Sequence, residues 1–265
     1  MKQEVLRSAQ QEYEAKERQR KYRIKMARIM LLVFLLLLWE ISAHVGWIND
    51  FIFSSPSRMF ACLYSMFSDG TIYYHTGITV LETLISFGFV LLLGIGGAVI
   101  LWSGRYLSEI LDPYLVILNS LPKSALAPIL IVWLGANMRT IIVAAVSVAV
   151  FGSVLTIYHG FATMDPEQIK LIYTLGGNRR DVLFKVLLPG SVPLIISNMK
   201  VNVGLCLVGV IIGEFLAARA GLGYLIIYGS QVFQLTLVMT SILVLCVLSA
   251  LMYQGISIIE KRLGK

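Results

Sequence analysis

Six apolar runs divide this chain, each long enough at roughly 20 residues to cross a ~30 Å hydrocarbon core as a helix. They fall at residues 27–47, 78–102, 111–134, 140–161, 192–216 and 232–256. Of the 265 residues, 57% are apolar and only 14% are charged, whereas a soluble domain carries about 25% charged residues. With a mean hydropathy of +0.80, the chain lacks the polar surface that would keep it in water. A soluble enzyme, a DNA-binding domain and a disulfide-stapled secreted module are excluded. The expected fold is an all-α membrane protein with six transmembrane helices.

Charge sets the orientation. Residues 1–28 hold nine Lys/Arg against four Glu, and this basic stretch stops where the first apolar run begins. A juxtamembrane cluster of this kind anchors a cytoplasmic segment on anionic membrane lipid rather than binding nucleic acid. The first run is too long for a signal peptide and ends in aromatics, so it is expected to be retained. With the N-terminus inside, 17 of the 22 Lys/Arg fall on the inner side and only Arg58, Arg139 and Arg219 on the outer side. That bias places both termini in the cytoplasm. Residues 1–28 then form a basic cytoplasmic segment, either an exposed helix or a disordered arm near the lipid, ahead of a transmembrane domain at 29–265.

The outer segment 48–77 contains Pro56, with Ser57 expected to cap a short helix through Met66. The third span carries Pro113, Pro122 and Pro128 in or beside it, so it is predicted to bend. The one long inner segment, 162–191, reads as two short helices joined by glycine. Asp165 caps the first, with Pro166 in its first turn, Glu167 beside it and Gln168 three residues past the cap. Ile169, Ile172 and Tyr173 then share one helical face. Gly176-Gly177 stops the helix, and Asn178 caps a second one through Leu188, with Asp181 in its first turn. An apolar stripe bordered by Arg179, Arg180 and Lys185 suits either a groove on a partner protein or the lipid surface.

This loop resembles the coupling loop of ABC-importer permeases, whose pattern is Glu-Ala-Ala, three residues, Gly, nine residues, Ile, one residue, Leu-Pro. Gly176 takes the glycine position, and Val186, Leu187 and Leu188-Pro189 follow at the right spacing. Lys170-Leu171-Ile172 stands where the family has Glu-Ala-Ala. Three further segments look like the nitrate/sulfonate/taurine branch: Ser54 to Ser57, Leu121 to Gly135, and Gly213-Glu214-Phe215 with Gly221 to Leu225. The resemblance implies a type I importer permease in a bacterial plasma membrane. It further implies a second permease copy, two cytoplasmic ATPases that use ATP and Mg, and an external substrate-binding protein. The expected solute is small and anionic.

The chain itself carries no phosphate-binding loop, no His/Cys/carboxylate metal cluster and no Ser-His-Asp set, so it is expected to be non-catalytic. Cys62, Cys206 and Cys246 read as packing residues. Charges inside the spans need reasons, since each costs ~2.5–3.5 kcal/mol at mid-bilayer on insertion scales. Lys123 either attracts an anionic solute, pairs with a glutamate, or bonds carbonyls freed by proline. Glu40, Glu82 and Glu214 are the membrane carboxylates. The fifth span aligns Asn198, Asn202, Cys206, Gly209 and Gly213 on one face, which either meets a symmetry mate across the translocation path or packs within one subunit. Lys200 is expected to snorkel towards the inner surface. An ion-gradient-driven secondary transporter is the alternative, but the two halves show no repeat.

Overall fold

The computed structural model describes residues 2–263, with side chains from 16 to 262. The chain runs α1 (Lys2–Val45), α2 (Asp50–Phe53), α3 (Pro56–Ser68), α4 (Thr71–Ser103) and α5 (Arg105–Ser120). A 3₁₀ turn (Lys123–Leu126) leads to α6 (Ala127–Leu134) and α7 (Met138–Ala162). Next come α8 (Pro166–Thr174), α9 (Arg179–Val182), a π turn (Leu183–Leu187), α10 (Leu188–Gly190), α11 (Val192–Ala217), α12 (Leu222–Gln231) and α13 (Leu235–Leu263). Five helices are long and apolar enough to span a bilayer, and α5 with the 3₁₀–α6 segment forms a sixth candidate bent by 83°.

The packing shows that this bent pair is one crossing. Gly94 faces Ser153 and Gly97 faces Val154, while Ala98 packs with Ile157, so α4 and α7 run parallel. The chain must therefore return between them to the end from which α4 started. Its break follows Ser120, where Pro122 removes a donor and Leu121 before it is extended. Antiparallel to α7 runs α11, with Gly209 against the Ala145 backbone and Gly213 against Ile141. The three helices α4, α7 and α11 form the core, sealed by Val90, Ala149 and Cys206 at its centre.

Several expected boundaries shift. The basic arm and the first span form one continuous helix, so the arm's backbone is helical rather than disordered. Helix α4 begins at Thr71, seven residues before the expected 78. The segment ahead of the sixth span folds as α12, and α13 starts at Leu235 rather than 232. The cap of α3 is Ser55, whose side chain accepts from the Arg58 amide at 3.4 Å, and Pro56 takes the first helical position. Ser57, expected as the cap, instead donates to Glu40 from its amide (3.0 Å) and its hydroxyl (2.7 Å). The Glu40 carboxylate thus closes the start of α3 and fastens α1 to the bundle.

A Cβ at position 209 would sit 2.6 Å from the Ala145 Cα, backbone that cannot yield without separating two helices. Gly209→Val is expected to cost about 2–3 kcal/mol through overpacking, read as a lower melting temperature of the purified protein. An unchanged melt would show that the α7–α11 seam is looser than this geometry.

Candidate functional site

The hairpin between α7 and α11 is built almost wholly from local capping. Asp165 accepts from the Glu167 amide at 2.9 Å and Pro166 opens α8. At its end, the Gly177 amide donates to the Ile172 carbonyl (2.9 Å) and the Gly176 amide to the Tyr173 carbonyl (3.0 Å). Those two bonds form a Schellman stop, which requires Gly176 in the left-handed region, where its φ is 80°. Asn178 then caps α9, accepting from the Arg180 and Asp181 amides, while Asp181 accepts from the Asn178 amide at 2.9 Å. This reciprocal capping box lies at Asn178–Asp181 rather than at Asp165–Gln168. The Asn178 amide, and next the Lys185 ammonium at 2.8 Å, hold the Asp181 carboxyl below its usual range.

The second helix does not run evenly to Leu188. It widens into the π turn, where the Leu188 amide reaches back five residues to Leu183, just before Pro189 would clash in a regular α-turn. Val182 and Leu187, fully buried, join Ala98, Ile157 and Phe161 in one core cluster, with Ile169 and Ile172 packed against it. The expected outward stripe is thus split: Ile169 and Ile172 turn to the bundle, and Tyr173 stays exposed. With Leu171, Leu175 (74% exposed) and Phe184 (65% exposed), Tyr173 makes the uncovered apolar face, beside exposed Glu167, Lys170 and Arg180. Arg179 ties the hairpin to the end of α4. It donates to the Trp102 carbonyl at 2.7 Å and lies 4.8 Å from the indole centroid.

At the opposite end of the bundle a second polar assembly closes α12. The Gly221 amide donates to His75 Nδ1 (2.9 Å), the Leu222 amide to Thr79 Oγ1 (2.8 Å) and the Gly223 amide to Glu214 Oε2 (2.5 Å). Thr79 passes its own proton to Glu214 Oε1 at 2.7 Å. Side chains from α4 and α11 thereby satisfy the orphan amides that open α12, and Glu214 lies at the positive end of its dipole.

This geometry gives the expected path residues partners within the chain. Asn198 and Asn202 both donate to Ser153 Oγ, at 2.9 and 3.0 Å, inside the chain. With Gly209 against Ala145, their stripe packs as a seam with α7, the within-subunit alternative. Glu214, 1% exposed, is likewise committed to the α12 knot rather than to an open path. Lys123 bonds the Asn119 carbonyl across the helix break, which is the proline-related alternative. Lys200 pairs with Glu260 and lies over the Tyr253 ring instead of snorkelling free. Sequence reasoning missed His75 and Thr79; their spacing to Glu82 on one face of α4 was the available signal.

A sequence model described as "Binding-protein-dependent transport system inner membrane component" matches residues 90–265. The chain belongs to that family. The matched stretch holds α7, the hairpin, α11 and α12, while His75 and Thr79 of the knot lie ahead of it. The permease is 29% identical over 235 residues to a probable ABC transporter permease of Haemophilus influenzae, covering 88% of this chain and 95% of that one. Against the aliphatic sulfonates permease SsuC of Escherichia coli it is 24% identical, with 91% and 92% covered. The taurine permease TauC of the same organism is 23% identical, with 88% and 86% covered. Other relatives are named for formylaminopyrimidine and riboflavin transport. Among solved structures, a chain of the MetNI methionine ABC transporter superposes with a TM-score of 0.64 at 18% identity, over 79% of this chain and 99% of that one. The permease has the fold of an ABC-importer membrane subunit.

Proposed function

We propose that two copies of this permease form the path of an ATP-driven importer for a small sulfonate-, nitrate- or taurine-like solute that carries an anionic group. An external binding protein delivers the solute, and a pair of separate cytoplasmic ATPases uses ATP and Mg. The membrane is the bacterial plasma membrane, with both termini on the cytoplasmic side, as the placement of 17 of 22 Lys/Arg supports. The observation that carries the reading is the hairpin's divided surface. One face is locked to α4 and α7, and the other leaves Leu171, Tyr173, Leu175 and Phe184 uncovered beside Lys170 and Arg180. That is a rigid lever with a free apolar-and-basic side for the ATPase. The coupling contacts proposed are Asp165, Glu167, Lys170, Leu171, Tyr173 and Arg180, while Ile169, Ile172 and Arg179 tie the hairpin to the bundle and Gly176, Gly177, Leu188 and Pro189 hold its shape.

The lever moves only if the ATPases bind the permease's two states with different affinity. When ATP draws the two ATPases together, the hairpins follow, and α4 and α7 shift with them. Co-purification with the neighbouring ATPase and binding protein, followed by ATP hydrolysis in proteoliposomes, tests this. Binding protein loaded with a sulfonate or taurine is expected to stimulate hydrolysis severalfold. Solute uptake on an ion gradient without ATP would overturn the reading in favour of a secondary transporter. Stimulation only by a pyrimidine-loaded binding protein would overturn the solute class and keep the importer.

A further inference from the structure

We propose that the cavity between α4, the start of α7 and the end of α11 is a subsite for a small zwitterion, taking its ammonium at Glu82 and its acidic group at Arg219. The proposal deepens the importer reading above and rests on it. The cavity is open on one side and offers about 280 Å³, room for a solute of taurine's size. Ile78, Ile141 and Ala217 supply apolar wall, and Glu82 and Arg219 are the charged residues lining it.

Glu82 is 2% exposed, three turns into α4, and its Oε2 has no hydrogen-bond partner. Its carboxyl shares a hydrogen bond with that of Glu214, whose oxygens also accept from Thr79 and Gly223. No lysine or arginine among the described residues pairs with either glutamate. The Glu82–Glu214 pair has no basic partner to neutralise it, and one buried Glu82 oxygen is left without a donor, a cost a span does not carry for nothing. A ligand ammonium supplies the missing donor. At the cavity edge, Arg219 is exposed and has no carboxylate partner among the described residues. Its planar fork suits a sulfonate or carboxylate. Asn137, which also lines the cavity, is spent on the cap of α7 and on the Leu134 carbonyl, so the acidic group is left to Arg219.

The test is saturation-transfer NMR on the permease–ATPase complex in lipid nanodiscs, without binding protein, using taurine and ethanesulfonate as probes. The two probes differ by the ammonium. Taurine is expected to receive at least threefold more transfer than ethanesulfonate, Glu82→Gln to erase that difference, and Arg219→Gln to lower both signals severalfold. Equal signals from the two probes in the unaltered protein would overturn the proposal. So would an unchanged taurine signal in Arg219→Gln, a surface substitution that reports even if Glu82→Gln fails to fold. ATP-driven uptake in proteoliposomes separates the two claims. Uptake without Glu82-dependent binding removes the subsite and keeps the importer, whereas binding without ATP-driven uptake does the reverse.

Discussion

Gly221→Ala is expected to abolish the folded permease or lower its melting temperature by on the order of 10 °C or more. Gly221 has φ 120° and ψ 166°, a region essentially closed to residues with a Cβ, at a cost of about 1–3 kcal/mol. The added methyl would also overlap the Glu214 carboxyl, pushing it off Thr79 and the Gly223 amide. A buried acceptor losing its partners costs a further ~1–3 kcal/mol, more when it is charged. Together these rival the 5–15 kcal/mol that stabilises a typical domain. Gly255→Ala, where nothing lies within 4 Å of the new Cβ, is expected to leave the melt unchanged or raise it. Glu214→Gln should fall between, because its amide still meets Thr79 but offers no second acceptor to Gly223. The readout is yield and thermal melt of the detergent-purified protein. A Gly221→Ala protein that melts like the unaltered one would mean that α12 is not held by this knot.

The knot also shows where the sequence was legible and where it was not. Hydropathy located every long span, because a continuous apolar run has one outcome in a bilayer. The hairpin's caps were legible for the same local reason: Asp165, Gly176 and Asn178 act on amides within three residues or close a helix whose end is in view. What failed was long-range. Asn198, Asn202, Cys206, Gly209 and Gly213 were visible as a polar-to-small stripe, but a stripe does not say whether it faces a second copy or Ser153 and Ala145 of the same chain. Likewise Ile169 and Tyr173 share a helical face by periodicity, yet docking onto Val182 and Leu187 half-buries the first and leaves the second exposed. Helix α12 escaped notice because its start is capped from α4 and α11, more than 130 residues away for Thr79 and His75, rather than by its own Ser, Thr or Asp.

Arg179→Ala is expected to uncouple the importer: ATP hydrolysis continues while solute uptake falls about five- to thirtyfold. Arg179 joins the hairpin to α4 by two contacts on one group, the charged hydrogen bond to the Trp102 carbonyl and the guanidinium over the Trp102 ring. The first is worth about 1.5–3 kcal/mol and the second about 0.5–1 at an exposed site. Because Arg179 is exposed, solvent screening reduces the joint contribution to about 1–2 kcal/mol, and that is the five- to thirtyfold range. The loss should appear in uptake per ATP rather than in the melt, since Val182 and Leu187 still bury the hairpin against α7. Trp102→Leu removes the ring but keeps the carbonyl, so it should lose only the smaller part. Arg179→Lys keeps the charge but not the planar fork, and should recover part of the uptake. If hydrolysis and uptake fell in proportion, Arg179 would be serving ATPase docking instead. An unchanged uptake-to-hydrolysis ratio with full uptake would mean that α4 receives the lever's motion through the buried cluster alone.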